Sequence, residues 1–322
     1  MSKMSTDENR TVLHGPTMGT RWSVTLAGPA DTVALTTALQ QAVDRVDAQM
    51  STWKPGSDLM RLNRAAVRIW QAVPPELMAV LRTALRIGEC SDGLFDIGVG
   101  DLVSAWGFGA RGSAPDTGLI GAQLGRRRPA AHEVLELDVN GARVRRMAPL
   151  SFDLSGIAKG FAVDQMMRVL ADYGVTDALA ALDGELAARG TRPDGTPWAV
   201  AVERPDHDRR APMGVIDLGD MAVATSGDYR HWVTVGKMRL SHTMDPRLGG
   251  PARNRLASVT VLHPACMAAD AWATALLVAG EDAAPDLARR NGLDALFVLR
   301  DGPELRQFSI GPRLEARQAV VA

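Results

Sequence analysis

The strongest constraint on the fold is that helical and strand-like segments come in runs along the chain instead of alternating one by one. Between Asp31 and Met50, apolar residues recur every three or four positions, which predicts a helix that Asp31 or Thr32 caps. Further along, strand-like segments dominate, at 177–182, 185–190, 198–203, 214–218, 231–240 and 257–263. Helices are predicted again at about 267–280 and 282–291, before a strand at 294–300 and a last hairpin. Such runs favour an α+β fold over a doubly wound parallel sheet.

Local signals predict the remaining elements and one irregular segment. Residues 21–28 alternate as a strand, the pair Asn140-Gly141 predicts a hairpin turn, and a helix follows Asp153. Residues 109–131 are rich in Gly, Ala, Pro and Arg without a sustained period, so we predict an excursion there and not a domain linker. Because no repeat and no boundary is evident, residues 1–322 are expected to form a single domain with a core at about 16–310.

Charge and cysteine content exclude several classes of function. The 322 residues include 36 basic and 37 acidic side chains, so there is no basic excess that would favour nucleic acid as a partner. Cys90 and Cys266 belong to no Cys/His cluster, so neither a disulfide framework nor a zinc site is predicted. No stretch approaches about 18 uninterrupted apolar residues, and no signal-peptide pattern is present. We therefore expect no membrane span. For the sequence as given we expect a cytoplasmic location, or a periplasmic one if a leader has been removed.

The helix at 267–280 carries a carboxylate and a hydroxyl that can meet at one point. Asp270 and Thr274 are four residues apart, so they lie on the same helix face. Oxygen ligands of this kind suit Mg²⁺, which completes its shell with waters and substrate phosphates. The alternative is structural: an exposed Asp near a helix start and a Thr that bonds back into its own helix.

Two glycine-containing segments are candidates for holding an anion. "DLSGIAKGFAVD", at 153–164, places Lys159 between Gly156 and Gly160 near a predicted helix start, where unpaired N–H groups face outward. It lacks the spacing of a phosphate-binding P-loop, so tight packing and a solvated lysine explain it equally well. "AVATSGDYRHW", at 222–232, places two hydroxyls and a glycine after a short apolar strand, where they can hold phosphate or ribose or simply form a turn.

Two further segments contain candidate ionisable groups. Asp96 lies among apolar residues and glycines, so a buried carboxylate is predicted, with either a ligand or the backbone as its partner. In "LSHTMDPRLGGPA", at 240–252, His242 can accept a proton near neutral pH and Asp245 is close enough to orient it. A structural role for His242, in a loop that Pro246 constrains, is the alternative.

Taken together and in order, these segments resemble the ApbE family of FAD:protein FMN transferases over roughly residues 16–300. The matching segments are "MGT" at 18–20, "MSTWKPGSDLMRLN" at 50–63, "FD" at 95–96, "DLSGIAKGFAVD", "ATSGDYR", "SHTMDPRLGGP" and "AADAWATAL". The resemblance implies a single ApbE-type catalytic domain, with a T-fold-like arrangement of largely antiparallel sheets flanked by helices. It also implies Mg²⁺-dependent transfer of FMN from FAD to a Thr or Ser hydroxyl of an acceptor protein, with release of AMP.

The resemblance also implies roles for individual residues. Asp270 and Thr274 match the Mg²⁺ positions, together with the backbone carbonyl of Ala158, and His242 matches the histidine proposed to activate the acceptor hydroxyl, with Asp245 beside it. The residues expected to contact the flavin nucleotide are Met18, Trp53, Asp96, Lys159, Asp164, Asp183, Glu185, Thr225, Ser226 and Gly227. Met18 and Trp53 match positions that border the isoalloxazine, where an aromatic plane can stack on the flavin.

The chain departs from the family pattern at residue 183. Family members usually carry two glycines before the acid, whereas this chain has Asp183 in the first of those positions, in "LDGEL". A carboxylate beside a diphosphate repels it unless it points away or faces the metal. Three alternatives to the transferase remain: a Mg²⁺-dependent FAD diphosphatase that gives FMN and AMP, a protein that binds FAD without turning it over, and an α+β protein with a different nucleotide ligand.

Overall fold

The computed structural model describes residues 10–28, 30–109, 114–124, 128–206, 208–230, 232–235 and 238–314. The helices in these ranges are α1 Thr32–Met50, α2 Asp58–Arg64, α3 Pro75–Cys90, α4 Gly100–Ala105, α5 Thr117–Gln123, α6 Ala131–Val134, α7 Ala158–Asp172 and α8 Cys266–Arg290. The strands are β1 Arg10–Thr17, β2 Thr20–Ala27, β3 Gln71–Ala72, β4 Leu135–Asp138, β5 Arg143–Arg146, β6 Ala178–Leu182, β7 Glu185–Arg189, β8 Trp198–Glu203, β9 Pro212–Leu218, β10 Ala222–Gly227, β11 Trp232–Val235, β12 Met238–Ser241, β13 Met244–Asp245, β14 Gly250–Pro251, β15 Leu256–His263, β16 Asp294–Asp301 and β17 Glu304–Ile310.

An eight-stranded sheet forms the centre of the fold, in the order β1-β2-β6-β7-β10-β15-β16-β17. All neighbouring strands in it are antiparallel. Three short strands pair as β3-β5-β4, and β8-β9, β11-β12 and β13-β14 form separate pairs. The prediction of an α+β fold with largely antiparallel sheets flanked by helices is therefore confirmed.

The two faces of the central sheet are covered by different elements. Helices α7 and α8 pack against one face, and α1 packs against α7. Alternation along β10 shows the division, because Ala222 and Ala224 belong to the core on the helix side while Val223 belongs to a cluster with the β8-β9 pair. Each face therefore has its own hydrophobic contacts, and both lie next to the end of β10.

Helices with a strong apolar period form where the sequence predicts them. Asp31 caps α1 by accepting a hydrogen bond from the Ala34 N–H, and Leu35 and Leu39 on its apolar face are fully buried. Helix α8 covers both helices that were predicted between 267 and 291, with a break at Gly280, whose φ is +78°. The break explains why the apolar pattern divides there.

Two strand predictions need correction. The strand predicted at 231–240 is wrong, because Trp232–Val235 and Met238–Ser241 are two strands that pair antiparallel as β11 and β12. Residues 231, 236 and 237 of that prediction lie outside the described residues. Strand β1, Arg10–Thr17, was not predicted at all, although it pairs along its full length with β2. Gly15 and Pro16 are unfavourable in strands and hide it from a pattern search.

Candidate functional site

Most of the side chains that the sequence analysis selected line one cavity of about 630 Å³. Its walls come from the start of α7, one face of α8, the β6-β7 turn, the end of β10, the loop after β12 and the β8-β9 pair. The predicted site residues on its lining are Asp96, Lys159, Asp183, Glu185, Thr225, Ser226, Gly227, His242, Asp270 and Thr274. Residues from distant parts of the sequence therefore share one solvent-connected space.

The start of α7 lies directly against α8 at Gly160. A Cβ atom at Gly160 would lie 2.5 Å from the Cys266 carbonyl oxygen and 2.9 Å from the Asp270 Cβ, so only glycine permits this approach. The Gly160 N–H donates to Asp270 Oδ2 at 3.1 Å. One turn further along α8, the Thr274 hydroxyl lies 3.0 Å from the Ser226 hydroxyl on β10. These two hydrogen bonds hold the Asp270 and Thr274 side chains at the cavity wall.

Lys159 is the cation closest to these groups, and it is paired with two carboxylates. Its Nζ donates to Glu185 Oε1 at 2.8 Å and to Asp183 Oδ2 at 3.3 Å. Burial alone would lower the pKa of Lys159, but the charges of Glu185, Asp270 and Asp183 outweigh it and raise the pKa. Lys159 therefore stays protonated.

Asp270 is a buried carboxylate with an excess of negative charge around it. Burial, and then the neighbouring Glu185 charge, raise the pKa of Asp270 to about 8, while Lys159 and the Gly160 N–H oppose the shift. A divalent cation near Asp270 would lower this pKa again, because its charge favours the ionised carboxylate. Within the described ranges no three His, Cys, Asp or Glu side chains group as a metal site. Asp270 can share a cation with hydroxyl, carbonyl or substrate oxygens, which form a donor set that Mg²⁺ accepts.

The β6-β7 turn places Asp183 on the cavity wall in a backbone conformation that favours glycine. Leu182 and Glu185 pair directly, so Asp183 and Gly184 form a two-residue loop, in which Asp183 has a φ of +58°. The two possibilities for its carboxylate, that it points away from a diphosphate or that it faces a metal, stay predictions. The carboxylate points to Lys159.

The end of β10 contributes hydroxyls on both sides of the strand. Thr225 and Ser226 were predicted to follow a strand, whereas they and Gly227 are its last three residues. The Thr225 hydroxyl lies 2.8 Å from that of Thr260, its partner on β15, while Ser226 faces Thr274. A Cβ at Gly227 would lie 2.5 Å from the Tyr229 ring.

His242 lies just after β12, in a loop that a second set of contacts holds. The Phe108 ring meets the His242 ring edge-on, with centroids 6.2 Å apart. The loop rests on a small buried cluster that consists of Leu102, Trp106, Leu240 and Met244. Asp245 is buried, and its carboxylate accepts hydrogen bonds from the Arg247 backbone N–H at 2.8 Å and from the Arg247 guanidinium at 2.7 and 3.0 Å. Arg247 also donates to the Val278 carbonyl, which ties the loop to α8.

Five predicted site residues are absent from the cavity lining: Met18, Trp53, Ala158, Asp164 and Asp245. Met18 forms the β1-β2 turn with a φ of +45°, and the Trp53 side chain is exposed. Asp164 caps α8 by accepting from the Cys266 and Met267 N–H groups at 2.8 and 2.9 Å. Burial, against these two bonds, raises the pKa of Asp164 to about 6.

Asp96 is on the cavity lining, and backbone groups satisfy it. Its Oδ1 accepts from the Gly98 N–H at 2.7 Å and from the Ala131 N–H at 3.1 Å. Burial raises the pKa of Asp96 in spite of these bonds. The backbone, one of the two partners that the sequence allowed, therefore binds this carboxylate, and a ligand partner stays a prediction.

Three residues of the cavity lining were not predicted from the sequence: Glu203, Tyr229 and Arg230. Arg230 forms an ion pair with Glu203 and lies over the Tyr229 ring, 5.6 Å from its centroid, and all three residues line the cavity. Tyr229 and Arg230 belong to the quoted segment "ATSGDYR", but nothing local to that segment indicates that β8 brings Glu203 to it.

The predicted excursion at 109–131 is partly described. Asp116 precedes helix α5, Thr117–Gln123, and its carboxylate caps the start of that helix. Arg128 donates to both Asp101 carboxylate oxygens, at 2.7 and 2.5 Å, and to Gln123 at 2.7 Å. Residues 110–113 and 125–127 lie outside the described residues. The described part packs beside α4 and therefore next to the cluster under His242.

The fold and cavity define a class: an α+β protein that presents a buried acid, neighbouring hydroxyls and a paired lysine around a space large enough for a nucleotide. The ApbE family model matches residues 18–297. A Vibrio cholerae relative named FAD:protein FMN transferase is 36% identical over 301 residues, covering 92% of this chain and 90% of the relative. An Escherichia coli K12 relative of the same name is 33% identical over 303 residues, covering 92% and 86%.

Solved structures agree with the sequence relatives. The flavin transferase ApbE from Vibrio cholerae superposes with a TM-score of 0.84 at 33% identity, covering 95% of this chain and 98% of that one. The apo flavinyl transferase ApbE of Pseudomonas stutzeri gives a TM-score of 0.83 at 33% identity, covering 95% and 96%. The chain belongs to the ApbE family, as the resemblance predicted. Among the described residues, no helix is both long and apolar enough to cross a membrane.

Proposed function

We propose that this chain is a transferase that moves FMN from FAD to a Ser or Thr hydroxyl of an acceptor protein and releases AMP. The observation that carries the proposal is the single cavity lined by Asp270, Thr274, Lys159 and His242. The activity is the one that the names of its relatives in Vibrio cholerae and Escherichia coli state. We treat residues 1–322 as one catalytic domain, because the main hydrophobic core contains residues from Leu13 to Ile310.

Asp270 and Thr274 are the side chains that would hold Mg²⁺, with the Ala158 carbonyl as a third ligand. Their oxygens suit this ion, and the raised pKa of Asp270 indicates a carboxylate that gains from a nearby cation. When bound, Mg²⁺ supplies positive charge that neutralises diphosphate oxygens. The Gly160 N–H holds one Asp270 oxygen in place.

The proposed reaction exchanges a phosphoanhydride bond of FAD for a phosphoester bond to the acceptor. The acceptor hydroxyl oxygen forms a bond to the FMN phosphorus while the bond from that phosphorus to the bridging oxygen breaks, and AMP leaves with that oxygen. His242 accepts the hydroxyl proton, because a Ser or Thr hydroxyl is a weak nucleophile near neutral pH without a base. Lys159, which stays protonated, adds positive charge beside the diphosphate.

The remaining predicted residues are assigned to binding and support. Thr225, Ser226 and Gly227 would contact phosphate or ribose from the end of β10, while Met18 and Trp53 would border the flavin ring. The exposed Trp53 ring supports such stacking because it leaves an aromatic face available. Asp96 and Asp164 would act on the nucleotide indirectly, through the backbone N–H groups that they bind. Glu185 would act through Lys159, which it holds.

The decisive experiment separates transfer from hydrolysis and from binding alone. Flavinylated proteins are first identified by mass spectrometry in cells with and without this chain, and the protein that loses its flavin becomes the acceptor. Purified chain, FAD and Mg²⁺ are then incubated with and without that acceptor. We expect acceptor-bound FMN and one AMP per FMN only when the acceptor is present. Free FMN without an acceptor would indicate a diphosphatase, and no AMP under any metal condition would indicate a binding protein.

A further inference from the structure

Lys159 carries one positive charge in an environment with an excess of acid. Two carboxylates bind its Nζ directly, Glu185 at 2.8 Å and Asp183 at 3.3 Å. Glu185 is 3% exposed, whereas the Asp183 side chain is 39% exposed and faces the cavity. The ammonium group is therefore already engaged before any anion enters.

The turn itself gives no reason for an aspartate at position 183. A φ of +58° at the first residue of a two-residue hairpin loop is a conformation that glycine adopts without steric cost. Aspartate tolerates positive φ better than most residues, but it still pays a steric penalty that glycine avoids. No backbone group in the turn accepts or donates to its carboxylate, whose hydrogen bond is with Lys159.

We propose that Asp183 sets the affinity of the cavity for the diphosphate part of its substrate, by holding Lys159 and by adding a negative charge beside the incoming anion. The inference rests on the proposed function for the identity of that substrate as FAD. An Asp183 carboxylate within reach of Lys159 weakens the attraction that the lysine offers to phosphate oxygens. The chain then binds FAD less tightly than its cavity shape and its other contacts allow.

Two substitutions separate the charge from the backbone conformation. Asp183→Asn removes the charge and keeps a side chain that tolerates positive φ, whereas Asp183→Gly removes the charge and the steric cost together. Asp301→Asn is a matched control: Asp301 also lies at a hairpin turn of the central sheet, at the end of β16, and forms an exposed ion pair with Arg306 at 3.1 Å outside the cavity.

The measurement is calorimetric titration of FAD, inorganic pyrophosphate and uncharged riboflavin into the four proteins at fixed salt and Mg²⁺. We expect Asp183→Asn and Asp183→Gly to bind FAD and pyrophosphate roughly fivefold to tenfold more tightly than wild type, and riboflavin equally well. Asp301→Asn should match wild type for all three. Only Asp183→Gly should also raise the melting temperature.

The outcomes that overturn the inference are distinct from those that overturn the proposed function. Equal or absent pyrophosphate binding in wild type and both Asp183 variants contradicts the role of the charge, and so does tighter binding confined to Asp183→Gly, which would assign the effect to the backbone. Tighter riboflavin binding would contradict it too, since that ligand carries no phosphate. A folded wild type that binds no FAD contradicts the proposed function, while the pyrophosphate titration still decides the role of Asp183.

Discussion

The two ends of the cavity are built in different ways. At the helix end, defined by Lys159, Gly160, Asp270 and Thr274, α7 and α8 touch through a glycine inside the main hydrophobic core. At the loop end, defined by His242 and Asp245, short strands rest on a separate small cluster and on the bonds between Asp245 and Arg247. The groups proposed to hold the ion and the phosphates are therefore positioned by the main hydrophobic core. The proposed base is positioned by the separate small cluster and by the Asp245–Arg247 bonds.

We therefore expect that binding and proton transfer can be changed separately at the loop end but not at the helix end. A substitution that moves α7 against α8 disturbs both the core and the ligands. A substitution in the His242 loop disturbs few contacts of the central sheet.

Asp270→Ala should have the largest effect on catalysis. We expect FMN transfer to fall about 10⁴-fold, because the proposed metal ligand is lost and metal assistance contributes several kcal/mol to such reactions. The free energy of unfolding should change little, since loss of the Gly160 hydrogen bond is offset by removal of a buried carboxylate with a raised pKa. Transfer rates across a Mg²⁺ series, with denaturant unfolding of the same samples, provide the measurement. A loss of stability as large as the loss of activity would support the structural interpretation of Asp270.

His242→Ala should separate binding from transfer. We expect transfer to fall on the order of 10³-fold, within the range that general base catalysis supplies, while FAD affinity remains that of wild type. Single-turnover transfer and FAD titration of the same preparation measure the two effects. Transfer at the wild-type rate would remove His242 from the mechanism, and loss of FAD binding would show that the loop end also holds the nucleotide.

Gly160→Ala should destabilise the fold and the helix end together. The added Cβ would meet a backbone carbonyl at 2.5 Å, and backbone cannot move away as a side-chain tip can, so we expect a loss of about 3 kcal/mol of unfolding free energy. Gly121→Ala is the control, because it lies in α5 with no atom within 4 Å of the new Cβ. That variant should lie within about 1 kcal/mol of wild type, on the stabilising side. Equal unfolding curves for the two variants would contradict the close α7–α8 contact.

Features that depend on local pattern were predictable from the sequence, and features that depend on distant pairing were not. The Asp270 and Thr274 pair follows from helical spacing alone, and α1 and α8 follow from apolar periodicity. The division of 231–240 into β11 and β12 was missed because the strand prediction ran through Gly236, although a glycine between two strand-like stretches is a turn signal. The Glu203 and Arg230 pair was missed for a different reason, since β8 reaches β10 only through tertiary packing.

The unusual residue type at position 183 was evident from the sequence, but its conformation and its contacts required the three-dimensional structure. The resemblance marked an aspartate at a usual glycine position, but neither the positive φ nor the contact with Lys159 follows from the letters "LDGEL". Backbone angles in a turn depend on the register of the strands around it, here the pairing of Leu182 with Glu185. Asp245 presents the reverse case: its effect on His242 stays a prediction, because the bonds seen at its carboxylate come from Arg247.

The smallest expected effect belongs to Asp245→Asn, and the chain contains a close counterpart for comparison. Asp294 is also buried, at the start of β16 outside the cavity, and accepts from the Arg313 backbone N–H at 2.9 Å and from its guanidinium at 2.8 Å. Each substitution weakens one charge-assisted pair, so we expect both variants to lose about 1–2 kcal/mol of unfolding free energy.

Only Asp245→Asn should also slow transfer, by about tenfold, because only its ion pair holds the loop that carries His242. The rates are compared at saturating FAD and acceptor, at a temperature where both variants remain folded. Equal transfer in the two variants would mean that the small cluster under the loop positions His242 without help from Asp245. A slower rate in both would mean that general stability, and not the loop end, limits transfer. The contrast between the two ends therefore depends on one result: the Asp245 and Asp294 variants should differ in transfer rate while they have similar unfolding free energies.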